Sequence, residues 1–240
     1  MTFDPRASAL APGTNPKRDE FLAIVRHALG HSAVGKLAEP TGRPPRHEKL
    51  IRQVQANDPN RVDRWIELAG KNGVNVKRAR TAAGLQAAID ECLSAHQVQS
   101  VLLNMADLPE ESFAAHLTKK GLKIYHWAKE GCAEAAFNCD AAVTDCRYGL
   151  ADTGAFMVWS DTGFGRSSTL TVPVHVVLLP VGRIVADMVD ALPHVLRDTG
   201  GRMPSNVVII NGPSKTADIE MKLVTGVHGP KFLYAVIIDD

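Results

Sequence analysis

The chain has 240 residues, 45% of them hydrophobic, which is enough apolar material for a full core at a length between one large α/β domain and two small ones. With 27 basic and 26 acidic residues it carries a net charge of +1, so it lacks the basic field that nucleic acid selects, and no run is apolar enough to span a bilayer. Small anions and other proteins are the partners this leaves.

Residues 1–17, with prolines at 5, 12 and 16 and no apolar signal core, read as a flexible tail of a cytoplasmic protein. Residues 18–60 read as an N-terminal helix and a proline-rich loop. Phe21, Ile24, Val25, Ala28 and Leu29 recur at helical spacing up to Gly30, and 39–47, EPTGRPPRH, has the composition of an exposed linker. Residues 61–240 read as one α/β domain. Helical patterns run over Val62–Ala69, ending near Asn72-Gly73, and over Leu85–Leu93. Val98–Leu103 and Leu122–Trp127 read as strands around a helix at Glu110–Thr118. A helical turn at Glu130–Phe137 leads to a short strand at Ala141–Thr144.

Leu150–Trp159 and Val174–Leu179 are then expected to form a hairpin, with the polar loop 160–171 as its long tip. A helix at Ile184–Leu196, a strand at Val207–Ile210, a helix opening at Pro213 and a last strand at Phe232–Ile238 complete the pattern. This alternation predicts an α/β fold with an open, mostly parallel sheet flanked by helices on both faces.

Four places carry candidate chemistry. Asn211-Gly212-Pro213 ends an apolar run, and a helix starting at Pro213 would offer Gly212, Ser214, Lys215 and Thr216 to a carboxylate or phosphate; a simple turn with a capping hydroxyl is the alternative. No phosphate-loop glycine precedes Lys215 at the required spacing, so this is not an ATPase motif. Asp152, Thr153 and Gly154 place a carboxylate and a hydroxyl beside a glycine, where Asp152 can serve as a general base or Asp152 and Thr153 can simply hold a turn. The tip SDTGFGRSS carries Arg166, either the guanidinium of a lid or part of an exposed hairpin end. His228, between glycines in GVHGP, is available for proton transfer, whereas His175 within PVHVVLLP reads as a core histidine.

No histidine shows a metal-binding spacing. Cys132, Cys139 and Cys146 recur every seven residues, too far apart for an iron–sulfur cluster run, and with Cys92 they read as reduced, buried thiols.

ADTGA at 151–155, PVHVVLLP at 173–180 with GRIV at 182–185, and NGPSKTADIE with GVHGP at 211–220 and 226–230 resemble the lactate-utilization protein C family, whose members consist of a LUD domain. The resemblance covers about 141–240, and the residues before it match only loosely. It implies a fold similar to the sugar-phosphate isomerase and coenzyme A transferase group. It also implies a role as a subunit of a system oxidising L-lactate to pyruvate with two iron–sulfur partner proteins, which carry the clusters; this chain would bind no cofactor directly. The family's signature turns fall at Asp152–Gly154, at Gly212–Thr216 with Asp218 and Glu220, and at His228-Gly229. Where the family usually has Glu-Thr-Gly-Thr, this chain has Asp152-Thr153-Gly154-Ala155, which retracts the carboxylate by one methylene. A stand-alone enzyme for a phosphorylated or coenzyme A-linked metabolite is the rival reading, and a purely structural or regulatory partner is the third.

Overall fold

The computed structural model describes residues 16–28, 52–127, 132–217 and 223–239. They belong to two units, 1–48 and 49–240. The first unit contributes α1 (Pro16–Ala28), on which Phe21 and Ile24 are exposed. The expected glycine stop at Gly30 and the proline-rich loop 39–47 lie outside the described residues.

In the second unit, α2 (Arg61–Lys71) leads into β1 (Asn75–Ala79), a strand the sequence reading missed because NVKRA holds two charges. There follow α3 (Ala82–Ser94), β2 (Ser100–Asn104), α4 (Glu110–Lys119), β3 (Lys123–His126), α5 (Cys132–Asn138) and β4 (Ala141–Asp145). With β7 (Val174–Pro180) and β12 (Phe232–Ile238) these strands form one parallel sheet in the order β1-β12-β7-β4-β2-β3.

Side-chain alternation divides this sheet into two faces. Val101, Leu103, Val143, Val176, Leu178 and Val236 pack with Ile89, Phe113 and Leu117 of α3 and α4. Val177, Leu179, Ala235 and Ile237 point the other way, toward α2 and a second sheet, while Leu102 and Ala142 meet α5 on that same side. A parallel sheet needs both faces covered, and here both are.

The second sheet has the order β8-β5-β6-β9, from β5 (Tyr148–Leu150), β6 (Ala155–Trp159), β8 (Ile184–Val185) and β9 (Val207–Ile210). It corrects two expectations. β6 pairs with β5 and β9 rather than with β7, so 150–159 and 174–179 are not a hairpin. The helix expected at Ile184 begins only at Met188 (α6, Met188–Asp198), capped by Asp187, because 184–185 is committed to β8. Ala191 and Val195 of α6 cover the outer face of this sheet.

α2 joins the two sheets. Arg61 donates to the Ile184 carbonyl at 2.9 Å, and the buried Trp65 indole donates to the Ala155 carbonyl at 2.8 Å.

Candidate functional site

In open parallel sheets, ligands bind beyond the carboxyl ends of the strands, where the winding direction reverses. Here β2 to β3 steps toward one edge and β4 to β7 to β12 toward the other, so the reversal lies between β2 and β4.

Asp145, the last residue of β4, is 1% exposed at this point. Its carboxylate accepts from the backbone N–H groups of Ala106 and Asp107 at 2.7 Å and of Leu108 at 3.0 Å, tying the loop after β2 to β4. Burial pushes the Asp145 carboxyl above its usual range, against the lowering effect of these three bonds.

The loop so fixed presents Asp107 to two arginines. Arg147, just beyond β4, lies 3.5 Å from Asp107 and also pairs with Asp161, and its guanidinium sits over the rings of Trp159 and Phe164 at 4.9 and 5.7 Å. Arg183, just beyond β7, pairs with Asp107 at 3.0 Å and approaches Asp198 at 3.8 Å. Tyr148 donates to Asp198 and receives Arg197 at 3.1 Å. Burial raises the Tyr148 phenol, as does its bond to Asp198; burial also acts upward on Asp198, but the bonds from Tyr148 and Arg197 outweigh it and hold that carboxyl low. Asp107, Arg147, Trp159, Asp161, Arg183 and Asp198 wall a crevice of about 520 Å³ that also takes in Ser160 and Thr199. A concave site with convergent charged groups at the switch point is where this architecture places ligands.

The residues singled out from sequence lie elsewhere. Pro213 does not open a helix: Lys215–Ala217 is a strand (β10) paired antiparallel with β11 (Leu223–Thr225). The array of free N–H groups expected of a helix start is therefore absent, and Ser214 N–H bonds to the Pro230 carbonyl. Thr153, Gly154, Gly212 and Lys215 do converge, but on the end of α2. Asn72 donates to the Thr153 carbonyl and the Asn211 side chain at 2.8 and 2.7 Å, and Lys215 donates to the Asn72 carbonyl at 3.1 Å. A Cβ on Gly154 would lie 2.3 Å from Ala69 N, and one on Gly212 2.6 Å from Asn72 O, so these glycines allow close backbone packing.

Thr216 lies on β10 opposite Val224, and Asp218 and Glu220 lie outside the described residues. Asp152 is partly buried, its carboxyl raised by burial and by nearby Asp187 despite the Thr153 hydroxyl 3.2 Å away. Arg166 is exposed but begins a 3-10 turn, Arg166–Thr169, whose Ser168 and Thr169 are buried, so the tip is packed into the protein. His228 is exposed at a separate groove with Phe137, Leu170 and Lys231 at the amino ends of β7 and β12, opposite the crevice. His175 is buried as expected, with Nε2 2.9 Å from the Thr144 hydroxyl; burial lowers its pKa to about 3.

Cys92, Cys139 and Cys146 are buried thiols, with burial raising Cys92 to about 11. Among the described residues no three His, Cys, Asp or Glu side chains group as a metal site, and no helix is long and apolar enough to cross a membrane.

Sequence reasoning passed over Asp107, Arg147, Tyr148, Arg183 and Asp198. The available signal was an arginine two or three residues beyond each of two buried strands, in DCRYG and in LLPVGR.

The family model of the LUD domain matches residues 62–238. The chain belongs to the LUD domain family. The match begins in α2 and so includes the half of the domain where the sequence motifs gave only a loose likeness. Among its relatives, Lactate utilization protein C of Shouchella clausii is 33% identical over 159 residues, 65% of this chain and 69% of that one. Lactate utilization protein C of Halalkalibacterium halodurans is 29% identical over 230 residues, 93% of this chain and 98% of that protein. A DUF162-family protein of Deinococcus radiodurans has a similar fold, with a TM-score of 0.55 at 18% identity over 75% of this chain and 96% of that one.

Proposed function

We propose that this chain is the LUD-domain component of a cytoplasmic L-lactate utilization system, acting with iron–sulfur partner proteins that oxidise lactate to pyruvate, and that the crevice beyond β2, β4 and β7 is its small-molecule site. The observation that carries the reading is likeness to a protein called Lactate utilization protein C over 93% of the chain. The clusters belong to the partners in this reading, and this chain supplies a fixed set of charged and hydroxyl groups at the switch point. The Asn72 junction supports packing, since its backbone and amide groups bond to one another.

The test is deletion of the gene in its host, growth on L-lactate as sole carbon source, and complementation. Growth lost on deletion, restored by the wild-type gene and not by a stably folded Arg183→Ala variant supports both parts. Undiminished growth and lactate-dependent electron transfer in the deletion strain refute the lactate role.

The crevice itself favours one rival, an enzyme acting alone on a phosphorylated or coenzyme A-linked metabolite, because active sites of open α/β folds sit at this place. That rival requires purified protein to be stabilised by such a metabolite, with the effect lost in Arg183→Ala. A melting temperature unmoved by a panel of phosphate esters and thioesters counts against it.

A further inference from the structure

We propose that the space between Arg147 and Arg183 is a carboxylate-binding seat which Asp107 fills from within the chain, and that a small carboxylate ligand takes the place of the Asp107 side chain. This rests on the crevice being the ligand site and goes further by naming the group bound there.

Three observations carry it. First, the two oxygens of one carboxylate are shared between two guanidinium groups: Asp107 Oδ1 faces Arg147 Nη1 at 3.5 Å and Oδ2 accepts from Arg183 Nη2 at 3.0 Å. A free carboxylate would adopt the same bridging arrangement, with a charge-assisted contact from each oxygen.

Second, each arginine is held in place independently of Asp107. Arg147 is 11% exposed, lies over two aromatic rings and pairs with Asp161; Arg183 lies over the Tyr148 ring and reaches its hydroxyl at 3.4 Å. The guanidinium groups are therefore pre-positioned, and removing the Asp107 carboxylate leaves them aimed at the same point. The crevice lining holds Arg147 and Arg183 against Asp107, Asp161 and Asp198, so removing Asp107 leaves two guanidinium groups and two carboxylates, and a bound carboxylate restores the charge that Asp107 supplied.

Third, Asp107 can leave while its loop stays. Its side chain is 43% exposed, so the ion pairs it makes are weakened by water. Its backbone N–H remains bonded to Asp145, whose carboxylate also holds the two neighbouring N–H groups. Rotation of one side chain toward solvent opens the seat, and the 520 Å³ crevice beside it receives the rest of the ligand next to Ser160 and Thr199.

The experiment is chemical rescue of the full chain. Wild type, Asp107→Ala and Asp107→Ala/Arg183→Ala are melted in sodium acetate, sodium L-lactate, sodium phosphate and sodium chloride at equal ionic strength, and acetate and lactate affinities are measured by calorimetry. Asp107→Ala is expected to melt lower than wild type in chloride, to recover in acetate or lactate, and to bind both at least tenfold more tightly than wild type. The double variant is expected not to respond.

A folded Asp107→Ala protein that binds carboxylates no better than wild type overturns the proposal, as does a response that persists without Arg183. Recovery in phosphate equal to that in acetate overturns the assignment to a carboxylate. If Asp107→Ala does not fold, Asp107→Asn, which removes the charge and keeps the volume, is judged by the same criteria. Rescue alongside normal growth of the deletion strain on lactate refutes the lactate role alone. Absent rescue with lost growth refutes only the carboxylate seat.

Discussion

Acidification from pH 7 to 4.5 is expected to cost the folded protein about 2.5 kcal/mol through His175 alone. The ring is fully buried, on the side of β7 facing Thr144, and its Nε2 meets that neutral hydroxyl. Burial therefore penalises the imidazolium, with no carboxylate among the described residues to offset it, and the folded pKa falls from 6.5 to about 3.

Between those values the unfolded chain holds one more proton than the folded one, so stability rises with pH by up to about 1.4 kcal/mol per unit. The contribution is complete above pH 6.5 and is lost as the pH falls toward 3. Asp145 and Asp152, whose carboxyls are raised by burial, act in the opposite sense, because the folded state takes up their protons more readily. Comparison with His175→Gln, which keeps a polar group near Thr144 but does not titrate, removes those shared terms. Urea unfolding at pH 7, 5.5 and 4.5 should show the wild type losing about 2.5 kcal/mol relative to the variant. Parallel pH profiles, differing in slope by less than about 0.5 kcal/mol over this range, refute the reasoning.

Other expectations follow from local geometry. Gly154→Ala is expected to lose about 3 kcal/mol or more in urea unfolding, since φ is +72° and the new Cβ would meet Ala69 N at 2.3 Å and Leu68 C at 2.6 Å. Gly70→Ala, inside α2 with nothing within 4 Å of the added methyl, is expected to gain about 0.5–1 kcal/mol in the same assay. Asp145→Asn should cost about 2–4 kcal/mol and speed hydrogen exchange at the Asp107 and Leu108 amides, because one amide oxygen cannot accept all three N–H bonds. Lys215→Ala should change stability by less than about 1 kcal/mol, as its bond to the Asn72 carbonyl is exposed; a much larger loss would show that the hairpin depends on it.

Much of the parallel sheet was legible because its strands are short apolar runs separated by helical periods. β2, β3, β4 and β12 were found within two residues, and α2 and α4 with them, while α3 begins three residues before the expected start. β1 escaped because Lys77 and Arg78 interrupt its apolar pattern; Lys77 is partly buried beside Glu91 and Arg78 pairs with Asp239. The helix drawn at Pro213 failed for a different reason. Gly-Pro-Ser-Lys is compatible with a helix start or a turn into a strand, and pairing with 223–225 decides for the strand.

Local pattern determined that this chain is α/β, where most strands of its parallel sheet begin and end, and that His175 and three cysteines belong to the interior, because burial on a repeating period is written residue by residue. Tertiary structure alone decided that β6 leaves β7 for a second sheet and that the signature turns pack around Asn72. It also decided that Asp107, Arg147 and Arg183, 40 and 36 residues apart in succession, meet in one crevice. Strand order has no local signal: it depends on which edges find one another, and the ends of the strands become a site only after that choice is made.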